Sequence, residues 1–141
     1  MADLTVTASQ VLPGLESAGA TFANGTAGAS ITAGQAVYLD TAAGTYKLAD
    51  ANDSTATAVV AGIALHAAST GQPLRIQTAG PLTIGAGAAP AVGMIYAVSA
   101  TAGGIAPQAD LTTGHRTSII GVGTATGVIT LRIWATNAVK P

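Results

Sequence analysis

The order of short motifs in residues 37–78 is repeated in residues 95–136. The first set is Val37-Tyr38, Ala43-Gly44, Ala49-Asp50, Gly62-Ile63 and Leu74-Arg75-Ile76, and the second is Ile95-Tyr96, Ala102-Gly103, Ala109-Asp110, Gly121-Val122 and Leu131-Arg132-Ile133. The offset is 58 at the tyrosines (96 − 38), 60 at the aspartates (110 − 50) and 57 at the arginines (132 − 75). Stacked repeat proteins generally need three or more units to bury a core, so two units predict related halves of one domain.

Strand-length segments separated by turn residues account for most of the chain. Residues 129–134 alternate, with Ile129, Leu131 and Ile133 on one face and Thr130, Arg132 and Trp134 on the other. Residues 58–65 form a continuous apolar run, which predicts a strand buried on both faces. Turn signals recur about every ten residues, and helical periodicity is sustained nowhere. The sequence therefore predicts an all-β domain, either a barrel or a sandwich.

Charge is scarce along the whole chain. The 141 residues include five Lys or Arg and six Asp or Glu, with a formal net charge of −1 and 49% hydrophobic residues. Disordered chains combine low hydrophobicity with high net charge, so this composition predicts a folded protein. Its surface is expected to be largely uncharged and formed mainly by Ala, Gly, Ser and Thr. A net charge near zero favours association with other subunits.

Residues 1–30 are predicted to be an extended N-terminal arm, preceding a β-domain over residues 31–141. Residues 3–8 alternate in polarity, Pro13-Gly14 interrupts the segment, and Asn24-Gly25 predicts a tight hairpin turn. An arm of this composition buries little by itself, so it is expected to lie along a neighbour or along its own domain. Its apolar residues, Leu4, Val6, Val11, Leu12 and Leu15, are candidate contacts.

Catalytic, cofactor and metal sites are not predicted. The chain has no cysteine, and its two histidines, His66 and His115, have no metal-ligand spacing. Asp110, His115 and Ser118 form a nominal hydrolase trio, but Ser118 lies in no Gly-x-Ser-x-Gly turn. We therefore expect a protein that is not an enzyme.

Nucleic-acid and membrane partners are not predicted either. The five cations form no basic stripe. The charge-free interval at residues 76–109 is interrupted by Pro81, Pro90 and several glycines, which a spanning helix would not accommodate. The N-terminus carries an acidic residue where a signal peptide has a basic one, so synthesis in the cytoplasm is expected.

Arg75, Arg132 and Trp134 are the remaining candidate contact residues. The arginines are expected on strand faces that point outward, where each either pairs with a carboxylate across a subunit interface or is simply solvated. Trp134 is either an interface hot spot or a cap at the end of the barrel.

Several motifs together resemble a known family. They are Ile31-Thr32-Ala33-Gly34-Gln35-Ala36-Val37-Tyr38-Leu39, Leu48-Ala49-Asp50-Ala51, Gly62-Ile63-Ala64-Leu65, Gly93-Met94-Ile95-Tyr96, Ile119-Ile120-Gly121-Val122-Gly123 and Leu131-Arg132-Ile133. In order and spacing they are similar to the small capsid decoration, or cement, proteins of tailed bacteriophages. The resemblance covers roughly residues 31–135.

The resemblance implies a compact β-barrel or β-tulip-like domain, a homotrimer, and a place on the outer surface of the virion after synthesis in the bacterial cytoplasm. Its partner there would be the major capsid protein. The family has no catalytic residues, and its contact residues vary too much to be mapped onto this chain. The alternative is a head-fibre base or an adhesin module that binds host glycans, although such sites usually use stacked aromatic rings and the chain has only five aromatic residues.

Overall fold

The protein is all-β in a computed structural model that describes residues 3–52, 57–85, 88 and 90–139. Strands make up 47% of the structure, and it contains no helix of seven or more residues. The strands are β1 (Thr21–Thr26), β2 (Ala36–Asp40), β3 (Thr45–Leu48), β4 (Gly62–Ala64), β5 (Pro73–Thr83), β6 (Ile95–Val98), β7 (Ile105–Pro107), β8 (Arg116–Ala125) and β9 (Val128–Val139). The predicted fold class is confirmed, and the sheet curls into a half-barrel.

The nine strands form one antiparallel sheet whose order is nearly symmetric about its centre. The order is β3-β2-β4-β5-β9-β8-β6-β7, and β1 pairs with β5. Each half contains a hairpin followed by two further strands, and the halves meet where β5 pairs with β9. The two units predicted from the repeated motifs therefore have the same strand order in space.

The pairing registers give the correspondence between the halves. Val37 of β2 pairs with Gly62 of β4, and Tyr96 of β6 pairs with Gly121 of β8. The offset is 59 residues in both strands (96 − 37 and 121 − 62). Gly62 and Gly121 thus occupy corresponding positions, whereas Tyr96 corresponds to Val37 rather than to Tyr38.

The two arginines of the repeated motif do not correspond in the same way. Arg75 pairs with a residue of β1, whereas Arg132 pairs with Ala79 of β5. The connection before β5 spans residues 65–72, but the turn before β9 contains only residues 126–127. This difference shifts β9 relative to β5, so the two arginines lie in different surroundings.

Two expectations about local structure are wrong. Asn24 and Gly25 lie inside β1 and form no turn, because β1 pairs with β5 throughout and the ring of Tyr46 occupies the space beside Gly25. The apolar run at residues 58–65 contributes only the short strand β4. Before it, the N–H of Val60 donates to the hydroxyl of Ser118 (3.3 Å) instead of joining a strand ladder.

Most of the buried side chains form one core that both halves share. Ile63 and Leu82 come from the first half, and Tyr96, Ile120 and Ile129 come from the second. A smaller cluster lies within the first half. The shared core makes the chain a single folding unit.

The N-terminal segment lies along its own domain. The N–H of Leu4 donates to the carbonyl oxygen of Ile105 (2.8 Å), and the hydroxyl of Ser99 donates to the carboxylate of Asp3 (2.7 and 2.8 Å to its two oxygens). Val11 is buried in the shared core. The arm was expected to lie along a neighbour or along its own domain, and in this structure it lies along its own domain.

Gln77 fastens this segment to β5. Its buried side chain accepts a hydrogen bond from the N–H of Gly14 (2.9 Å). Its amide nitrogen donates to the carbonyl oxygens of Ala79, Gly80 and Pro81 (3.1, 3.2 and 2.8 Å). The side chain therefore holds β5 at the point where it begins to pair with β9.

The β2–β3 hairpin carries an ion pair that predicts a shifted titration. The ammonium of Lys47 donates to Asp40 Oδ2 (2.8 Å), and the N–H groups of Ala43 and Ala42 donate to Oδ1. The bond from Lys47 is the largest cause that lowers the pKa of Asp40 below its usual 3.8. The stability from this pair is therefore present above the unfolded pKa of Asp40 and is lost as pH falls through the lower folded value.

We expect NMR titration of the Asp40 carboxyl to show a pKa below 3.8, and Lys47→Met to raise it. Arg132→Met is the control, because β4 and β5 separate its strand from β2. A pKa at or above the usual value in the unmodified protein, or one that Lys47→Met leaves unchanged, would contradict this assignment.

Candidate interaction surface

An apolar groove crosses β6, β8 and β9, and we call it the Trp134 groove. Its volume is about 510 Å³. Trp134 is 67% exposed and Ile95 is 42% exposed, both high for large apolar side chains. The lining residues are Ile95, Ile119, Gly121, Val122, Arg132, Ile133 and Trp134.

An irregularity between β8 and β9 shapes this groove. Ile119 pairs with Trp134 and Gly121 pairs with Leu131, so β9 has one residue more than β8 between these pairs. Such bulges bend a strand and redirect its side chains. A larger residue does not fit at Gly121, because a Cβ there would collide with the carbonyl oxygen of Thr130.

Arg132 is the one charged residue among the described residues that line the groove. Among the described residues, its guanidinium has no hydrogen bond, ion pair or ring contact. Arg75, by contrast, lies over the ring of Phe22 at 4.4 Å from its centroid. The groove therefore combines apolar surface with a cation that the described part of the fold leaves without a partner.

A second apolar surface lies on the N-terminal segment, at residues 12–16, which we call the leucine segment. Leu12 is 57% exposed and Leu15 is 71% exposed. Glu16, which follows, begins a short 3₁₀ turn and is exposed. Within the described part of the chain, its carboxylate has no polar partner.

The eight residues predicted from the sequence as contacts fall into different surroundings. Leu4 and Val6 are half-buried against the core, and Val11 is inside it. Leu12 and Leu15 are exposed together, and Arg132 and Trp134 share the groove, whereas Arg75 lies in a separate depression beside Phe22 and Glu16. Sequence reasoning missed Ile95, Ile119 and Val122. Alternation along β8 could not select both Ile119 and Val122, because residues three apart on a regular strand point to opposite faces.

Three of the side chains considered for catalysis or metal binding, Ser118, His66 and His115, accept hydrogen bonds from backbone N–H groups. Ser118 is fully buried, as its bond with Val60 requires. His66 accepts the N–H of Arg75 (3.1 Å), and His115 accepts the N–H of Thr112 (3.1 Å). The described residues contain no group of three or more His, Asp or Glu that could hold a metal ion. They also include no helix with the length and apolar character to cross a membrane.

Comparisons with protein-family models and with curated proteins gave no match. A functional assignment therefore depends on the two exposed apolar surfaces and on the resemblance of the sequence motifs.

Proposed function

We propose that the protein is a structural protein that decorates the outer surface of a tailed-bacteriophage head. It would bind as a homotrimer and clamp neighbouring major capsid proteins. The observation that carries this proposal is the exposure of large apolar side chains at separate places on a nearly uncharged surface, including Leu15, Leu39, Val92 and Trp134. A protein with two kinds of partner, its own copies and the capsid, requires more than one such surface.

The character of the surface supports attachment to a symmetric shell. Small neutral residues allow close approach of backbones, and the few charges limit the desolvation cost of a large interface. Attachment at several equivalent points multiplies modest affinities without new chemistry. The fold itself is held by one shared core, so these surfaces are available for binding.

The mechanism is mass-action stabilisation of the expanded shell. A ligand that binds only the assembled state stabilises it to an extent set by the ratio of its free concentration to its dissociation constant. Heat or the pressure of packaged DNA would then have to break the additional contacts as well. Interfaces of stable complexes bury about 1,600 Å² in total, which three protomers acting together supply more readily than one.

We expect the protein to co-sediment with expanded heads assembled from the major capsid protein encoded in the same phage genome, and to raise the temperature at which those heads come apart. Unexpanded heads are the control, because their subunits have not yet created the surface that is bound. Failure to co-sediment with expanded heads at micromolar concentrations would contradict the proposal. Binding to a glycan array in the same preparation would favour the adhesin alternative.

A further inference from the structure

We infer that the leucine segment of one protomer docks in the Trp134 groove of a second copy of this chain. This inference rests on the homotrimer of the proposed function and names the interface that would form it. The occupant is a second copy because the two surfaces complement each other in polarity and charge.

The first argument is apolar complementarity. The leucine segment presents Leu12 and Leu15, two side chains more than half exposed, and the groove presents Trp134 and Ile95. Docking would remove all four from water, and each Å² of buried apolar area contributes about 25 cal/mol. Exposed aromatic residues are also the type most often found at interface hot spots.

The second argument is that the segment is already ordered. The backbone of Leu12 exchanges two hydrogen bonds with Thr83 (2.9 and 3.1 Å), and Gly14 is held by Gln77. The leucines are therefore displayed from a fixed backbone. Binding by a preorganised segment avoids most of the entropy loss that a flexible arm would incur.

The third argument is charge. Among the described residues, Glu16 and Arg132 are the two charged groups that have no hydrogen bond, ion pair or ring contact. They carry opposite signs, and each sits beside one of the two apolar surfaces. Docking would bring the carboxylate to the guanidinium, whose planar fork suits a bidentate pair. Arg75 would lie on the other side of Glu16, since both line one depression.

The geometry of this contact determines the type of assembly. The two surfaces differ, so the interface is head-to-tail, and such interfaces form rings when the rotation between copies closes. A ring of three uses every leucine segment and every groove once. The near-zero net charge does not oppose this association.

The experiment measures molar mass by light scattering or sedimentation across a range of concentrations. We expect three times the monomer mass of 13.6 kDa. Trp134→Ser, Glu16→Arg and Arg132→Glu should each raise the concentration at which the trimer half-dissociates by about tenfold or more. The double variant Glu16→Arg with Arg132→Glu should restore the trimer, because it re-forms the pair with reversed signs.

Val59→Ser is the matched control, because Val59 is 42% exposed in the loop before β4, outside both surfaces, and the substitution should leave the mass unchanged. Circular dichroism of each variant establishes that it is folded. The inference is overturned if the unmodified protein is monomeric or dimeric, if folded Trp134→Ser remains trimeric, or if the double variant associates no better than either single one.

This test needs no capsid, so its failure can be distinguished from a failure to bind heads. A monomer that still co-sediments with expanded heads would overturn the interface and leave capsid decoration standing. A trimer that does not co-sediment with expanded heads would support the interface and contradict capsid decoration.

Discussion

Gln77→Glu is expected to destabilise the protein by about 3–5 kcal/mol, a large part of the stability of a typical domain. The change keeps the shape of the side chain but replaces the amide nitrogen by an oxygen. That oxygen would face the carbonyl oxygens of Ala79, Gly80 and Pro81 in a fully buried site. A buried carboxylate without a cation is among the few single changes that cost this much. Thermal or urea unfolding measures the loss.

Gln72→Glu is the matched control for this substitution. Gln72 is exposed, and its side-chain oxygen accepts the N–H of Ser69 (2.8 Å), a role that glutamate retains. We expect Gln72→Glu to change the free energy of unfolding by no more than about 0.5 kcal/mol.

Burial also raises the pKa of the introduced carboxyl at position 77. The destabilisation is therefore complete above the folded pKa of this carboxyl and disappears below its unfolded pKa. The loss of stability in Gln77→Glu, measured relative to Gln72→Glu, should therefore become smaller as the pH is lowered. Equal unfolding midpoints for the two variants at neutral pH would contradict the role of Gln77.

Gly121→Ala and Gly62→Ala should each destabilise the protein by about 2–3 kcal/mol through overpacking. A Cβ at Gly62 would lie 2.6 Å from the carbonyl oxygen of Gln77, and one at Gly121 would collide with the carbonyl oxygen of Thr130. In both halves the obstacle is backbone of the next strand, which cannot rotate away. The two strands would have to separate, and the loss is measurable by denaturant unfolding.

Gly114→Ala separates this steric effect from backbone strain. Gly114 has a φ of +92°, but a Cβ added there would meet nothing within 4 Å, so alanine encounters only the conformational cost of about 1 kcal/mol. We expect Gly62→Ala and Gly121→Ala to lower the free energy of unfolding by similar amounts, both clearly larger than the loss caused by Gly114→Ala. If either is tolerated better than Gly114→Ala, the close approach of strands at that position is refuted.

The fold class and several strands of the two repeated units could be predicted, but β1 could not, because Asn24-Gly25 predicts a turn. In β9 the alternation placed Ile129 and Leu131 in the core and Arg132 and Trp134 outside, as the structure shows. The register could not be predicted, because many small residues fit several alignments equally well. The tyrosines were matched to each other, yet the ladders place Tyr96 where the first half has Val37.

The candidate surface was predictable only in part. Arg132 and Trp134 were selected from their outward positions. Alternation along β8 puts Ile119 and Val122 on opposite faces, yet both line the groove, where the pairing of β8 with β9 is irregular. The N-terminal segment has no period that separates buried Val11 from exposed Leu12 and Leu15. That distinction is made by pairing with β5 and by Gln77, whose bond with Gly14 joins residues 63 positions apart.

The contact between Leu4 and Ile105 also orders events during synthesis. Asp3 and Leu4 are synthesised well before their hydrogen-bond partners Ser99 and Ile105, so their polar groups remain unpaired until those partners emerge from the ribosome. The most local long pairing is β8 with β9, joined by a two-residue turn. Because local contacts form before distant ones, that hairpin is expected to form early, and the domain can close only after β8 and β9 have both been synthesised.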